Sequence, residues 1–457
     1  MAETSYDCIV IGSGPGGYVT AVRASQLGMK TAVVEKDKVG GRCLNYACIP
    51  AKAVLRVADI LSEVNEAYAF GISVGEPTVD YPAVQKRRET VVGTLTGGVA
   101  ALLKKNEVDL IEGVGSLVGT GKVKVGDQEL TASKCIVLAT GSVKSPIPGT
   151  EFGGRVIGTE EAWALPALPG KLAVVGAGAS GTEIASAYAR LGSEVQLFEG
   201  LDRVLPSEDA DISKVANRGF KAQGIDVHVK TFVENVATTD SGVTFTYGDQ
   251  TGQADYLVIA AGRKPDVEGL GLDAAGVKLT EQGLVEVNGQ LKTSVSGVYA
   301  IGDLVPGPAL AHKASDEGVI AVEDAAGLQT HPISYVDIPR ATFCTPNVAS
   351  FGLTEEQAKE AGHDVVVGKV QYGAVGAGTV YGDRTGMIKI IGDTKYGELL
   401  GGHIVGAKAT ELIQELVNVR DLEGGYPEVA RMIHGHPTFS EAVMEAARAA
   451  DGWLIHG

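Results

Sequence analysis

Two stretches of the chain, residues 7–35 and 171–199, share one pattern of hydrophobic and polar positions. In each, a short apolar run leads into a glycine-rich segment, an alanine-rich segment of helical length, and a second apolar run that ends in glutamate. The apolar runs favour strands and the alanine-rich segment favours a helix. A strand, a turn, a helix and a second strand in this order predict a βαβ unit with parallel strands. The chain is therefore predicted to contain two such units.

Three other apolar runs end in or close to a glycine, at residues 134–142, 256–265 and 297–303. Their apolar positions are continuous rather than alternating. Such runs are typical of strands that are buried on both faces of a parallel sheet. We therefore expect these runs to extend the sheets that the two βαβ units begin.

From about residue 335 the pattern changes, and no further glycine-rich motif of this kind follows. The run at 387–391 predicts a strand, and periodic apolar positions predict helices at roughly 409–420 and 438–450. This part of the chain reads as a separate α+β domain.

The predicted fold class is therefore α/β, with two Rossmann-like dinucleotide-binding domains and a C-terminal α+β domain. Prolines and glycines near residues 146–149 and 265 mark the candidate boundaries. The predicted division is 1–147 with 267–334 for the first dinucleotide-binding domain, 148–266 for the second, and 335–457 for the C-terminal domain.

Each glycine-rich turn is a candidate nucleotide-binding motif in the strand–turn–helix context that the motif requires. The first glycine permits the tight turn, the second lets a pyrophosphate approach, and the last lets helix and strand pack closely. The helix N-terminus supplies N–H groups to phosphates, and the glutamate can accept a hydrogen bond from a ribose 2′-hydroxyl. Two complete copies disfavour the alternative of turns that bind nothing. The candidates are Gly12, Gly14, Gly17 and Glu35, and Gly176, Gly178, Gly181 and Glu199.

The second motif favours NAD over NADP. A carboxylate at Glu199 repels a 2′-phosphate, whereas NADP sites usually place an arginine nearby. Arg203 lies close by in sequence and keeps NADP open as the alternative.

Composition narrows the class of protein. With 457 residues, 44% of them hydrophobic and 21% charged, the chain suits two or three globular domains. A net charge of −17 argues against nucleic acid or an anionic membrane as the main partner. The sequence has no apolar run of about 18 residues and enters its first strand almost at once, so neither a membrane span nor a targeting segment is predicted. The expected location is the cytoplasm, and a mature organellar form would look the same.

The five cysteines are too few and too scattered for a disulfide-stapled secreted scaffold. Cys8 and Cys135 lie in apolar runs and are expected to be buried. No second Cys or His pair has the spacing of a zinc site, so no metal is predicted.

Cys43 and Cys48 are a candidate redox pair just after the first βαβ unit. Residues five apart in an ideal helix lie about 140° apart around the axis and roughly 7.5 Å along it, beyond the usual disulfide limit of about 7 Å between Cα atoms. They can pair only if the helix starts late or is distorted, and Pro50 supplies such a distortion. The residues alone leave two buried cysteines in a helix as an equal alternative.

With these residues in view, the chain resembles the pyridine nucleotide–disulfide oxidoreductases over essentially its whole length. Residues 40–52 are similar to the redox-disulfide motif, residues 434–441 to the C-terminal catalytic motif, and residues 310–318 to a stretch typical of the branch that oxidises dihydrolipoamide. The chain departs from the motif at Arg42 and at two alanines, and none of these departures removes a reacting atom. The two alanines are Ala47 and Ala51.

The resemblance implies a homodimer with FAD on the first dinucleotide fold, NAD on the second and a dimerisation role for the C-terminal domain. Cys48 would be the thiol nearest the flavin, and Cys43 would exchange with substrate. His436 would be the base, oriented by Glu441 and supplied by the partner subunit. Further residues implied to contact or adjoin the cofactors are Lys52 paired with Glu183, Gly115, Thr140, Gly141, Ser142, Gly302, Asp303, Ala311, Ala261, Gly262 and Arg263.

Glu441 has a second interpretation. Thr438 followed three positions later by glutamate also fits a helix capping box. Capping and orientation of His436 are compatible roles, so both stay open.

The resemblance implies oxidation of protein-bound dihydrolipoamide, with lipoyl domains of 2-oxo acid dehydrogenase complexes or of the glycine cleavage system as partners. Two alternatives stay open. One is a glutathione-reductase-like enzyme, which Glu199 disfavours because such enzymes usually take NADPH. The other is a non-catalytic flavoprotein that serves as a sensor or subunit, which the set of Cys43, Cys48 and His436 disfavours.

Overall fold

A computed structural model describes residues 4–457, which form 22 β-strands and 14 α-helices. The strands are β1 Thr4–Ile11, β2 Thr31–Glu35, β3 Asp109–Glu112, β4 Gly115–Gly119, β5 Lys122–Val125, β6 Gln128–Leu138, β7 Ser142–Lys144, β8 Val156–Gly158, β9 Lys171–Val175, β10 Glu194–Phe198, β11 Asp226–His228, β12 Glu234–Thr239, β13 Gly242–Tyr247, β14 Gln250–Ala254, β15 Tyr256–Ile259, β16 Arg263–Pro265, β17 Val298–Ala300, β18 Arg340–Thr342, β19 Val348–Gly352, β20 Val365–Gln371, β21 Met387–Asp393 and β22 Glu398–Val405. The helices are α1 Pro15–Gln26, α2 Gly41–Asn45, α3 Cys48–Glu66, α4 Tyr81–Lys105, α5 Thr159–Ala162, α6 Ala179–Leu191, α7 Ala210–Ala222, α8 Leu272–Ala275, α9 Ala311–Ala325, α10 Glu355–Glu360, α11 Gly376–Val380, α12 Ala409–Asp421, α13 Tyr426–Arg431 and α14 Ser440–Ala450.

The described residues divide into two compact units. Unit 1 holds residues 4–53, 85–145 and 262–335, and unit 2 holds residues 54–84, 146–261 and 336–457. Unit 2 thus contains both the second glycine-rich motif and the C-terminal domain. The predicted division into three domains, with its boundaries, stays a prediction.

Unit 1 is built on a seven-stranded sheet. Strands β3, β2, β1 and β6 lie side by side and parallel, β17 pairs in parallel with β6, and β5 and β4 extend the sheet in antiparallel fashion. The apolar ends of β1 and β6, at residues 8–11 and 135–138, are at most 3% exposed. Continuous apolar runs are needed here because the sheet is covered on both faces. Helices α1 and α9 pack against each other in this unit.

Unit 2 contains a parallel sheet in the order β11, β10, β9, β15, β8 and a separate antiparallel sheet of β12, β13 and β14. It also contains an antiparallel sheet in the order β18, β19, β22, β21, β20. Helix α14 packs on β20 and β21, and α12 packs on β19 and β22. The strand predicted at 387–391 and both predicted C-terminal helices are present, and the predicted fold class is confirmed.

Three of the predicted strands are shorter than their apolar runs. The run at 134–142 stays in β6 only to Leu138, the run at 256–265 is broken between β15 and β16, and the run at 297–303 forms β17 only to Ala300. Each run ends in polar or glycine-containing backbone that lies at the candidate site described below. Within residues 4–457, none of the helices has both the length and the apolar character needed to cross a membrane.

Candidate active site

The two glycine-rich turns have matching geometry. Gly12 and Gly176 follow β1 and β9 with φ of +106° and +98°, in the left-handed region that favours glycine. A β carbon at Gly17 would overlap the carbonyl oxygen of Gly12, and one at Gly181 would overlap that of Gly176. Helices α1 and α6 begin directly after Gly14 and Gly178, where a β carbon would meet no atom within 4 Å. Each turn therefore leaves open space at a helix N-terminus, which is where a pyrophosphate binds.

The glutamate that ends each unit holds its own turn. Glu35 Oε2 accepts hydrogen bonds from the backbone N–H of Ser13 at 2.8 Å and from the Ser13 hydroxyl at 2.6 Å. Glu199 Oε2 accepts the backbone N–H of Ala177 at 2.7 Å. A carboxylate offers about four acceptor positions, so each glutamate can hold the turn and still accept a ribose hydroxyl.

The first turn opens into a cavity of about 270 Å³ in unit 1. Polar backbone, five carboxylate residues and the cysteine pair lie on its wall. The residues predicted for the flavin site or the redox pair that line it are Gly12, Gly14, Glu35, Cys43, Cys48, Gly115, Thr140, Gly141, Ser142, Gly302, Asp303 and Ala311. This set fits a flavin dinucleotide, because a helix N-terminus, a ribose acceptor and a second carboxylate line one cavity.

Asp303 lies in a short hydrogen-bond chain at this cavity. Ser142 Oγ donates to Asp303 Oδ2 at 2.5 Å, and Arg263 Nε donates to Ser142 Oγ at 2.8 Å. Thr140 Oγ1 donates to the carbonyl oxygen of Asp266 at 2.7 Å. Arg263 is predicted to contact or adjoin a cofactor, and its hydrogen bonds in unit 1 tie it to β7, beside this cavity. Its contact with a cofactor stays a prediction.

Several predicted residues do not line this cavity. Gly17 packs under the turn, and Lys52 lies on α3 one turn beyond Cys48. In unit 2, Glu183 on α6 is only 5% exposed, and its Oε1 accepts the backbone N–H of Phe343 at 2.9 Å. Ala261 lies against the backbone of Gly176. Gly262, the first residue of the next part of unit 1, precedes β16. The cofactor contacts implied for these residues stay predictions.

Cys43 and Cys48 form a disulfide with Cα atoms 4.8 Å apart. Helix α2 ends at Asn45, Tyr46 leaves the helical region with φ of −133°, and α3 begins at Cys48. The alternative of two cysteines in one continuous helix is therefore wrong. Pro50 lies in the first turn of α3, where its missing N–H is tolerated, so the chain starts a new helix before the proline.

Tyr46, which sequence reasoning did not single out, also lines the cavity. Its hydroxyl donates to Asp37 Oδ2 at 2.7 Å, and burial together with this hydrogen bond raises the pKa of Tyr46 to about 12. A neutral phenol thus closes one side of the wall that carries the disulfide. The available signal was an aromatic residue between the two cysteines of the motif.

A buried ion pair fixes the backbone just before Asp303. Lys313 Nζ and Glu317 Oε1 on α9 are 3.1 Å apart, and both side chains are 0% exposed. Lys313 Nζ donates to the carbonyl oxygen of Gly302 at 2.8 Å, and Glu317 Oε2 accepts the Gly302 N–H at 2.7 Å. Both backbone groups of Gly302 are thereby held. The similarity at residues 310–318 was noticed from sequence, but this role was not.

In unit 2, His436 Nδ1 lies 2.9 Å from Glu441 Oε1. Glu441 Oε2 also accepts the Thr438 N–H at 2.9 Å. Burial raises the pKa of Glu441, but the hydrogen bonds from the Thr438 N–H and His436 outweigh it and hold this pKa below its ordinary value. The His436 side chain is 74% exposed. An ionised carboxylate on Nδ1 leaves Nε2 as the nitrogen for proton transfer.

The predicted capping box is only half formed. Glu441 reaches back to the Thr438 N–H as predicted, but α14 begins at Ser440, so Thr438 is not its N-cap. The Thr438 hydroxyl donates to the carbonyl oxygen of Gly435 at 2.6 Å instead. Glu441 therefore combines a structural contact with a contact to His436. The catalytic role implied for Glu441 stays a prediction.

Among residues 4–457, no group of three or more His, Cys, Asp or Glu side chains is arranged to hold a metal ion.

Comparison with known proteins identifies the family. Residues 6–318 match the model of pyridine nucleotide-disulphide oxidoreductases, and residues 338–447 match the model of their dimerisation domain. The chain belongs to the pyridine nucleotide-disulphide oxidoreductase family. The predicted family membership is confirmed.

Similar proteins cover the full length of the chain. The dihydrolipoyl dehydrogenase of Rhizobium etli is 42% identical, with 100% of both chains covered. A dihydrolipoyl dehydrogenase of Bacillus subtilis is 40% identical over 98% of this chain and 97% of its own. Among solved structures, the HOCl-induced flavoprotein disulfide reductase RclA from Escherichia coli, in its Cu(II) complex, superposes with a TM-score of 0.87 at 27% identity, covering 98% of this chain and 99% of that one.

Proposed function

We propose that this chain is an FAD-dependent dihydrolipoyl dehydrogenase, which oxidises a dihydrolipoyl group to the cyclic disulfide and reduces NAD to NADH. The observation that carries the proposal is the Cys43–Cys48 disulfide on the wall of the cavity formed by the first glycine-rich turn. Full-length similarity to dihydrolipoyl dehydrogenases supports the same substrate class.

The protein disulfide is the first electron acceptor. A substrate thiolate attacks Cys43 Sγ, so the Cys43–Cys48 bond breaks, a mixed disulfide forms and Cys48 leaves as a thiolate. The second substrate thiolate then attacks the substrate sulfur of the mixed disulfide, closes the lipoyl ring and releases Cys43 as a thiolate. The substrate loses two electrons and two protons, and the cysteine pair gains the two electrons. Each exchange needs a thiolate, so a base must accept the substrate protons.

His436 is proposed as that base, with Glu441 as its orienting partner. The 2.9 Å contact between Nδ1 and Glu441 supports this role, because it would hold the imidazole in one orientation. His436 belongs to unit 2 and the disulfide to unit 1. We propose a homodimer in which His436 of one subunit serves the disulfide of the other, consistent with the match to a dimerisation domain.

The first glycine-rich turn, Glu35 and Asp303 would hold FAD, and the second turn with Glu199 would hold NAD. When bound, FAD would supply the chemistry that passes the electron pair of the reduced cysteines to NAD as a hydride. The chain's own part is to bind and orient them, through open helix N-termini at Gly14 and Gly178 and through carboxylates that accept hydroxyl hydrogen bonds. Lys52, on α3 one turn beyond Cys48, would lie near the flavin ring.

The natural substrates would be lipoyl domains of 2-oxo acid dehydrogenase complexes or of the glycine cleavage system. The decisive experiment is anaerobic. Purified FAD-loaded protein is mixed with dihydrolipoamide and NAD, and both NADH and the flavin absorbance are followed.

Rapid NADH formation together with a change of the flavin spectrum is expected. A flavin that responds to the dithiol without NADH formation would redirect the assignment to NADP, glutathione or another disulfide. A flavin that does not respond to any dithiol would favour a non-catalytic flavoprotein and contradict the proposal.

A further inference from the structure

A row of polar side chains crosses the C-terminal sheet of unit 2. One residue comes from each of the five strands, and neighbours in the row are register partners. Register partners place their side chains on the same face of a sheet. Three members, on β19, β22 and β21, are at most 2% exposed. The one on β21 is a lysine, and a charged side chain is rarely buried unless it is paired. From β18 to β20 the row is Arg340, Ser350, His403, Lys389 and Lys369.

Lys389, the fourth member of this row, is paired with three carboxylates. Its Nζ lies 2.8 Å from Asp209 Oδ1, 2.9 Å from Asp211 Oδ2 and 2.7 Å from Glu355 Oε2. Hydrogen bonds from lysines lower the pKa of Glu355 to about 2, and despite burial they lower that of Asp211 to about 2 as well. These groups are therefore ionised at neutral pH, and the contacts are ion pairs.

The outer members of the row reinforce this arrangement. Lys369 Nζ lies 2.5 Å from Asp211 Oδ2, and Arg340 Nε lies 3.7 Å from Glu208 Oε1. Glu208, Asp209 and Asp211 are all at or just before the start of α7. The sheet therefore holds one specific piece of the parallel-sheet part of unit 2, the N-terminal turn of α7.

The N-terminal turn of α7 also holds the chain segment that follows Glu199. Asp209 is the N-cap of α7, and its Oδ1 accepts the Asp211 N–H at 3.0 Å. The Ser213 hydroxyl donates to the carbonyl oxygen of Leu205 at 3.2 Å. The N–H of Glu208 donates to the same oxygen at 2.9 Å. Leu205 is consequently tied to the first turn of the helix.

Leu205 contacts the second glycine-rich turn directly. Its N–H donates to the carbonyl oxygen of Ala177 at 2.8 Å, and the Ala177 N–H donates to Glu199. Leu205 has φ of +47° and is 2% exposed. A non-glycine residue keeps this backbone conformation only where its surroundings enforce it. The surroundings here are Ala177 on one side and the capped start of α7 on the other.

We infer that Lys389 is a positioning residue for the second dinucleotide site, because it fixes the start of α7 and thereby the Leu205 contact to the glycine-rich turn. The inference rests on the proposed function, since it takes NAD as the ligand of this turn. Lys389 itself does not belong to the turn or to the redox pair. Its removal is expected to weaken NAD binding and to spare the reaction between dithiol and flavin.

The test compares Lys389→Met with Lys359→Met in the FAD-loaded protein. Lys359 is a matched control because it also pairs with Glu355, at 2.5 Å, but its side chain is 60% exposed and this pair lies within a single helix, α10. NAD binding is measured by calorimetric titration, KM and kcat for NAD are measured separately, and anaerobic bleaching of the flavin by dihydrolipoamide is followed.

We expect the dissociation constant and KM for NAD to rise about tenfold in Lys389→Met, since misplacing a binding group by a fraction of an ångström has effects of this size. The kcat, the flavin bleaching rate and the Lys359→Met variant should be unchanged. Asp209→Asn provides a second variant, because its side-chain oxygen keeps the helix cap and loses the ion pair. It should change NAD affinity in the same direction by a smaller factor.

Unchanged NAD affinity in both Lys389→Met and Asp209→Asn would overturn the inference and leave the proposed function standing. Equal losses in NAD binding and in flavin bleaching would also overturn it, because they would mean general damage to the fold. A wild-type protein that bleaches with dithiol but does not bind NAD would overturn the proposed function, and the inference with it.

Discussion

The chain contains two close pairs of cysteines with opposite surroundings. Cys8 and Cys135 are register partners on the parallel strands β1 and β6, and both are at most 1% exposed. Cys43 and Cys48 lie on the cavity wall, one in the middle of a short helix and the other at the start of the next. The first pair remains as free thiols, whereas the second forms a disulfide.

The difference shows that proximity does not make a thiol pair reactive. A hydrogen bond with Cys135 and burial raise the pKa of Cys8 well above its ordinary value, so it stays a neutral thiol. Exchange requires a thiolate and access for the attacking sulfur. Cys43 and Cys48 are only partly buried, and the break between α2 and α3 brings their Cα atoms within disulfide range.

The largest expected effect comes from removing one member of the reactive pair. Cys48→Ser should lower turnover of dihydrolipoamide by at least about a thousandfold, because the electron acceptor of the first step is lost. FAD should remain bound. Steady-state NADH formation measures the loss, and the flavin spectrum reports cofactor retention.

Cys135→Ala is the matched change in the buried pair. It should leave turnover unchanged and lower the free energy of unfolding by about 1 kcal/mol, the usual result of a small truncation in a core. Near-normal turnover in Cys48→Ser, or loss of turnover in Cys135→Ala with FAD still bound, would break the comparison.

The next largest effect should come from replacing His436, the proposed base, which only the reactive cysteine pair needs. His436→Gln should reduce kcat by about a hundredfold or more, the typical contribution of a positioned base. Glu441→Gln should reduce kcat by a smaller factor, because the glutamine oxygen can keep the contact to Nδ1 without the carboxylate charge. Turnover that is insensitive to both changes would remove His436 from the mechanism.

A smaller effect should follow from a change in the buried ion pair beside the cavity, which leaves both cysteines in place. Glu317→Gln leaves Lys313 as a buried charge without its partner, so the Gly302–Asp303 backbone should shift and FAD affinity should fall by about tenfold. Titration of the apoprotein with FAD measures the change. Glu323→Gln on the same helix is the control, because its ion pair with Arg23 is partly exposed and should contribute little. Equal FAD affinity in both variants would contradict the role of the buried pair.

The smallest effect expected is that the buried cysteines do not react with an alkylating reagent. Alkylation of the native oxidised protein with iodoacetamide should label almost none of its cysteines, and prior reduction should expose Cys43 and Cys48 alone. Cys8, Cys135 and Cys344 should stay protected, because they are buried; burial also raises the pKa of Cys344. Mass spectrometry of the peptides gives the labelled positions. Fast labelling of Cys8 in the folded protein would show that burial does not separate the two pairs.

Local patterns were enough to predict much of the fold. Continuous apolar runs predicted β1 and β6, and the first glycines, Gly12 and Gly176, predicted the turns, because a positive φ and a tight approach leave few other residues possible. The late start of the helix at Cys48 was one of two open alternatives. The capping-box interpretation of Thr438 is wrong in its N-cap, because the Thr438 hydroxyl donates to Gly435 instead, a contact that depends on how the loop folds.

The sequence by itself determined the elements, the two dinucleotide motifs and the identity of the candidate reacting groups, since these depend on residue type and short spacing. The tertiary structure decided which buried polar groups contact each other. Glu317 lies fifteen positions from Gly302, and Lys389 lies 180 positions from Asp209, yet each pair forms a buried contact. Such contacts leave no local pattern. They form because a buried charge needs a partner, and folding alone decides which partner is within reach.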